Sequence, residues 1–349
     1  MEIMDFSKRP QTLEELAKIA GVSRSTISRV INNEPNVREA VRERVWKVVQ
    51  ETGYHPNAAA RSLASKRSQT LGLVIPLPVT TVFSDPFYGN VIQGVAETAA
   101  QYEYHLMLSM VTRNTEEAFY RRALRSSILD GLVILAAPVD DPLLSRLAED
   151  TIPFVVVGRH PDLPSISYVD TDNIRGSRMA VEHLIRHGRR KIGTVTGPLK
   201  NCAGLDRLEG YRNALRDAGI HVDEELIQEG DFTEASGYIG AQYLLAHHPD
   251  AVFVASDLMA TGVLRAFNEA GVRVPDDIAL VGFDDAPIAA LTDPPLTTVR
   301  QQVYELGTAA VELLLHLKED DSHGPLRTIL PTELVIRRSS GITARSAQS

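Results

Sequence analysis

Residues 12–31 read TLEELAKIAGVSRSTISRVI, and no other stretch of this 349-residue chain so constrains what it can fold into. Thr12 stands three residues before Glu15, the spacing of a capping box. Leu13, Leu16, Ala17 and Ala20 recur on one helical face. Gly21 closes that helix, Ser23 opens a second, and Ile27, Val30 and Ile31 form its apolar stripe. The opposite face of the second helix carries Arg24, Ser25, Ser28 and Arg29. Two short helices around a tight turn, the second with a polar and partly basic outer face, suit the major groove of DNA. Taken alone, the pattern also fits a helical hairpin in an ordinary core. A third helix is expected from near Val37 to Thr52-Gly53, with Val41, Val45, Val48 and Val49 turned inward.

The net charge of −9 conceals a division. Residues 1–67 hold twelve Lys and Arg against eight Asp and Glu, a net of +4, and the remainder holds 24 against 37, a net of −13. A basic module joined to an acidic domain fits a nucleic-acid binder whose larger part avoids the duplex. Cys202 is the one cysteine, so a disulfide framework is excluded and a reducing cytoplasm is suited. No apolar run reaches the length of a membrane span. The opening MEIMDFSKRP has no apolar signal core and reads as a disordered leader over residues 1–10.

From Leu71 onward short apolar runs alternate with amphipathic segments. LGLVIP, YHLMLSM, GLVILA and PFVVVG form one series. KIGTVTG, ELIQEG, AVFVAS and ALVGFD form a second, starting after Gly188. Strands alternating with helices imply parallel sheets in an α/β fold, with ligands beyond the carboxyl ends of the strands. Those ends carry Phe83–Gly89, Arg113, Arg159, Asp206, Arg207, Phe232, Ser256, Asp257, Asp284 and Asp285. Aromatic rings stack on the C–H face of a sugar, while carboxylates and guanidiniums fork onto its hydroxyls. Asp257 reads as a helix cap, and Asp284 as a cap in the alternative to a ligand contact. The alternatives for Phe232 and Arg207 are a core ring and a surface ion pair with Glu209 or Asp206.

AGVSRSTISRVIN (20–32), GYHPNAAARSLASKRS (53–68), TLGLVIP (70–76) and VIRRSS (335–340), in this order and spacing, resemble the LacI/GalR family of bacterial transcription regulators. The resemblance covers nearly the whole chain. It implies an all-α helix-turn-helix domain at 11–56 and a hinge helix and linker at 57–68. An α/β periplasmic-binding-protein-like effector domain is implied at 69–340, and a tail at 341–349. One half-domain is expected from 69–187 and 299–328, and the other from 188–298 and 329–340. The resemblance implies DNA contacts at Thr12, Ser23, Arg24, Ser25, Thr26, Ser28, Arg29, Asn32, Tyr54, Asn57, Ala60 and Leu63. Leu63 takes the place of the leucine that wedges the minor groove, and Arg24 is the expected main reader of base edges. Arg61, Lys66 and Arg67 add positive charge at the duplex.

The resemblance also implies effector contacts at Arg207, Phe232 and Asp284, with Asp85, Phe87, Arg159 and Ser256 as further candidates. Where the purine-binding branch carries an arginine and a threonine, this chain has Asn201 and Ala203, which favours a sugar inducer. The expected protein is a cytoplasmic, nucleoid-associated homodimeric repressor of carbohydrate-utilisation genes, released from a pseudo-palindromic operator by a sugar. A corepressor (a phosphosugar, a purine or a phosphorylated carrier protein) is the alternative switch. No cofactor and no metal are expected. His183 and His187 have ligand spacing, but no third ligand accompanies them. The nucleotide-binding, nucleophile-elbow and zinc-protease patterns are absent, so no enzyme is expected. The end of the chain, GITARSAQS, carries no heptads for a tetramerising helix.

Overall fold

The computed structural model describes residues 12–31, 35–54, 68–112, 115–121, 128–135, 138–140, 142–150, 152–319 and 324–341. The leader, Asn32, the hinge segment with Asn57, Ala60, Arg61, Leu63, Lys66 and Arg67, Arg113 and the last eight residues lie outside them. The chain divides into two compact units, Met1–Ser68 and Gln69–Ser349.

The first unit contains α1 (Leu13–Ala20), α2 (Arg24–Ile31) and α3 (Glu39–Thr52). The Thr12 hydroxyl accepts a hydrogen bond from the Glu15 amide, and Glu14 and Glu15 place negative charge at the positive end of the α1 dipole. Gly21 ends α1 with φ of 63°, a left-handed conformation, which turns the chain within three residues into α2. Leu16, Ala17, Ala20, Ile27, Val30, Val45 and Val49 close one small core, as their spacing predicts. Tyr54, one of the DNA positions the resemblance implies, is only 6 % exposed and packs in this core.

The second unit holds two six-stranded sheets. The first contains β1 (Thr70–Ile75), β2 (His105–Met110), β3 (Gly131–Leu135), β4 (Phe154–Val157), β5 (Tyr168–Thr171) and β11 (Arg327–Leu330). The second contains β6 (Ile192–Thr196), β7 (Ile227–Glu229), β8 (Ala251–Val254), β9 (Ala279–Asp284), β10 (Thr297–Arg300) and β12 (Glu333–Val335). The orders are β11-β5-β4-β3-β1-β2 and β12-β10-β9-β8-β6-β7. Every pairing is parallel except β10 with β12.

The helices of this unit are α4 (Val79–Ser84), α5 (Pro86–Gln101), α6 (Glu116–Phe119), α7 (Pro142–Ala148), α8 (Asn173–Arg186), α9 (Cys202–Asp217), α10 (Glu234–Ala246), α11 (Asp257–Glu269) and α12 (Val303–Glu319). They cover both faces of each sheet, so the inner strands β1, β3, β4, β8 and β9 are buried along nearly their whole length, as central parallel strands must be. In β1, Leu71, Leu73 and Ile75 point toward α5 and α12, while Val74 packs on the other side with α7. Each such side chain contributes about 1.5–3 kcal/mol by leaving water.

The chain crosses between the sheets after β5, after β10 and between β11 and β12. The boundaries differ from those expected from the sequence, which place residues 69–187, α8 included, in the first half. In the structure Ala180, Val181 and Leu184 of α8 pack with Ile192, Phe253, Val281 and Val299 of the second sheet. The apolar stripe of a helix does not state which of two similar sheets it covers, and β5, β10, β11 and β12 are too short to stand out from their loops. Positions 299 and 300 likewise belong to the second sheet, and 329 and 330 to the first.

Candidate effector cleft and recognition helix

On α2, Arg24, Ser25 and Arg29 are exposed, whereas Ile27 and Val30 are buried. The Ser23 hydroxyl accepts from the Thr26 amide at 3.1 Å and stands 2.8 Å from both the Ser25 and Thr26 hydroxyls. These groups therefore sit together at the helix N-terminus, where a major-groove reader presents its first residues. Arg24 pairs with Glu14 at 2.9 Å on the surface, a contact worth little when both partners are this exposed.

In the second unit, all seven candidate effector residues line one cavity: Asp85, Phe87, Arg159, Arg207, Phe232, Ser256 and Asp284. The cavity lies at the carboxyl ends of β4, β6, β8 and β9, and both half-domains contribute to it. Asp85 precedes α5 and caps it, its carboxylate accepting from the Phe87 amide at 2.9 Å. Ser256 caps α11 through the Met259 amide at 3.2 Å. Asp257 is thus not the cap. It is buried and accepts from Thr298 Oγ1 at 2.6 Å and the Ala286 amide at 2.8 Å, tying β10 and the loop after β9 to α11.

Arg207 is the centre of the arrangement. It is 4 % exposed, so the surface ion-pair alternative does not hold. Its guanidinium donates to Asn173 Oδ1 at 2.9 Å, the Ala255 carbonyl at 2.5 Å and Asp284 Oδ1 at 3.2 Å. It also stacks 3.7 Å from the centroid of the Phe283 ring. Asp284 accepts in addition from Gln301 Nε2 at 2.6 Å, and Gln301 Oε1 accepts from Thr171 Oγ1 at 3.0 Å. Gln301 therefore stands at a crossover and couples the end of β5 in one half to the end of β9 in the other.

Burial opposes both charges of the central pair, pulling Arg207 down and pushing Asp284 up, while each partner stabilises the other's ionised form. Asp170 is pushed up to about 6, chiefly by burial, although it accepts from the Thr171 and Arg159 amides. Burial also raises Asp85, and raises the Cys202 thiol to about 11, which leaves that thiol an inert wall residue.

Phe232 has φ of 67° and Asp284 of 117°, left-handed backbone that non-glycine residues adopt at a cost of about 1–3 kcal/mol. Two of the seven candidates are thus held under strain, a pattern that concentrates at binding sites. Phe232 also needs Gly197, because a Cβ there would meet its ring at 2.2 Å. The two half-domains touch directly at one edge. Arg159 binds the Asp206 carboxylate with both ends of its guanidinium, the Nε bond being 3.0 Å, and the Val139 amide donates to the Lys200 carbonyl at 2.9 Å.

Asn173, Gln301, Asp170 and Asp206 in its bridging role were not anticipated. Asn173 and Gln301 lie at crossovers, which leave no strand-end signature. No group of three or more metal-ligating side chains occurs among the described residues. His183 instead bonds Ser340 at 2.9 Å in a buried cluster.

Residues 12–57 match the family model described as bacterial regulatory proteins, lacI family, and residues 181–340 match a periplasmic binding protein-like domain. The chain is 40 % identical over 340 residues to the HTH-type transcriptional regulator CelR of Thermobifida fusca, covering 96 % of this chain and 100 % of that one. The chain belongs to the LacI family.

Other family members are as informative. The transcriptional repressor PurR of Photobacterium profundum is 34 % identical over 332 residues, covering 94 % of this chain and 98 % of that one. Among solved structures, a transcriptional regulator CelR-cellobiose complex superposes with a TM-score of 0.75 at 39 % identity, covering 95 % of this chain and 100 % of that one. A lac repressor dimer bound to operator and the anti-inducer ONPF superposes with a TM-score of 0.83 at 30 % identity, covering 95 % and 99 %. LacI-family members of this kind are DNA-binding transcriptional regulators rather than enzymes. Among the described residues of this one, no helix is long and apolar enough to cross a membrane.

Proposed function

We propose that this regulator is a cytoplasmic, nucleoid-associated repressor that grips a pseudo-palindromic operator as a homodimer and lets go when a neutral sugar fills the cleft. The charge balance of the cavity carries the reading. Its wall holds three carboxylates, Asp85, Asp170 and Asp284, against two guanidiniums, and both guanidiniums are already paired. An anionic ligand would find no free cation there. A polyol finds acceptors for its hydroxyl donors and the Phe87 and Phe232 rings for its C–H faces. The CelR-cellobiose relative points the same way, whereas PurR favours a purine corepressor. Against the purine stand Asn201, whose side-chain oxygen accepts from the Ala203 amide to cap α9, and Ala203, which has no hydrogen-bonding side chain.

At the DNA, Arg24, Ser25 and Arg29 read the groove and Leu63 wedges the central step. Sugar and operator weaken each other by the same factor, since binding coupling is reciprocal. Calorimetric titration of the full chain with neutral sugars, phosphosugars and purines tests this. Binding of a neutral sugar alone is expected, with thermal stabilisation of about 2.7 kcal/mol at a hundredfold excess over its dissociation constant. Binding confined to phosphosugars or purines would overturn it.

A further inference from the structure

Two helices that begin at the effector cavity end together at the amino-terminal edge of the first sheet. Asp85 stands just before α5 and Phe87 in its first turn, Gln301 just before α12 and Leu306 in its first turn, and all four line the cavity. The two helices pack backbone to backbone. A Cβ on Gly94 would run into the Tyr304 carbonyl, and one on Gly307 into the Val91 carbonyl. The Tyr304 hydroxyl donates to Glu97 at 2.9 Å and Thr98 Oγ1 to Thr308 Oγ1 at 3.1 Å, so the pair is tied along its length. A displacement of either helix at the cavity therefore carries the other with it.

Their far ends meet in a small polar cluster. Lys318, in the last turn of α12, lies roughly 18 Å along the axis from Leu306. Its ammonium donates at 2.9 Å to the hydroxyl of Tyr104, which follows the end of α5 by three residues. The same ammonium stands 3.3 Å from Asp130 Oδ2, with only 16 % and 6 % of the two side chains exposed. That carboxylate oxygen also accepts from the Gln69 amide at 3.2 Å. Gln69 is the first residue of the second unit, where the chain arrives from the helix-turn-helix unit. Its carbonyl accepts from the His105 amide at 2.8 Å, and its φ of 51° is left-handed, a conformation that a glutamine holds at a cost. Asp130 is fixed in turn by its own amide, which donates to the Thr70 carbonyl at 2.8 Å.

We propose that Asp130 and Lys318 are positioning residues for the operator response. They clamp the point where the chain enters the effector unit to the far ends of α5 and α12, and so pass a shift at the cavity to the chain that leads to the DNA. The proposal rests on the reading that an effector releases the operator. A clamped entry point leaves that chain fewer arrangements to lose when the protein grips its operator, so the clamp favours specific binding. Neither residue lines the cavity, so the effector keeps its own contacts when the clamp is removed.

The test measures full-length Lys318→Met, Asp130→Asn and the double variant on labelled operator and on a nonspecific duplex, by fluorescence anisotropy with and without cellobiose. The double variant strands no buried charge, so it keeps the test open where a single variant fails to fold. Operator affinity is expected to fall by about tenfold or more, with nonspecific affinity unmoved. Lys318→Arg, which keeps the cation, is expected to bind as the parent does. Any fall that cellobiose causes in the parent should shrink toward none in the variants. Parental operator affinity in the double variant, whatever its melting temperature, overturns the proposal and leaves the cluster a support of the fold alone. An equal loss on both duplexes overturns it as well, as does a full response to cellobiose in the variants. A parent that ignores cellobiose counts against the sugar reading, while the two duplexes without ligand still decide the clamp.

Discussion

The Arg207 guanidinium lies 3.2 Å from the Asp284 carboxylate, with the guanidinium stacked on Phe283 and the carboxylate tied to Gln301. Removing one partner strands the other charge in the interior, a loss of about 3–5 kcal/mol. Arg207→Ala should therefore lower the melting temperature of the protein and abolish sugar binding. Operator affinity without ligand should be retained, because the first unit has its own core. Calorimetry and an operator-binding titration separate these effects.

Gly197 is required by the ring of Phe232. A methyl group at 197 would sit 2.2 Å from that ring, so the ring must leave its place on the cavity wall. Gly197→Ala is expected to weaken sugar binding by about tenfold or more, roughly 1.4 kcal/mol. In a Phe232→Ala background the same substitution should add little, since the two changes act on one contact. A double-mutant cycle of sugar affinities checks this.

Arg24 stands exposed at the start of the recognition helix, in a surface pair with Glu14. If it grips a guanine edge, Arg24→Ala loses about 1–3 kcal/mol and relaxes preference at a single base pair. If it touches only phosphate, the loss is uniform across operator variants and the salt dependence falls by about one unit. Affinities for a set of single-substitution operators distinguish the two, and we expect the first.

His183 supplies a pH signature. Burial holds its pKa down at about 4, with His187 and Arg186 adding to the effect. In the unfolded chain the value is about 6.5. The unfolded state therefore takes up the proton first, so the stability contribution is present above about pH 6.5 and is lost as pH falls toward 4. In His183→Gln this loss is absent, and the stability gap between parent and variant should narrow between about pH 7 and about pH 4.5. Denaturant melts across that range measure it.

Much of this molecule is legible in its sequence. Thr12, Gly21 and Ser23 announce the first two helices, and seven of the strand-end residues of the second unit converge on one cavity because parallel strands all aim their carboxyl ends the same way. The chain crossings were not legible. Asp172, Gln301 and Thr332 sit in short polar stretches whose meaning depends on which sheet the neighbouring strand joins, a long-range fact. The same blindness hid Asn173 and Gln301 as supports of Arg207 and Asp284, and assigned the cap of α11 to Asp257 instead of Ser256. The resemblance marks Tyr54 as a DNA position, and nothing in its spacing shows that its ring also packs in the small core.

The central claim is that a neutral sugar in the cleft releases the operator. The most direct test is fluorescence anisotropy of the full chain on labelled operator, titrated with neutral sugars, phosphosugars and purines. The account predicts that a neutral sugar lowers operator affinity, and that Arg207→Ala abolishes the response while still binding DNA. Tightened binding with a purine or a phosphosugar, and no response to any neutral sugar, would contradict it.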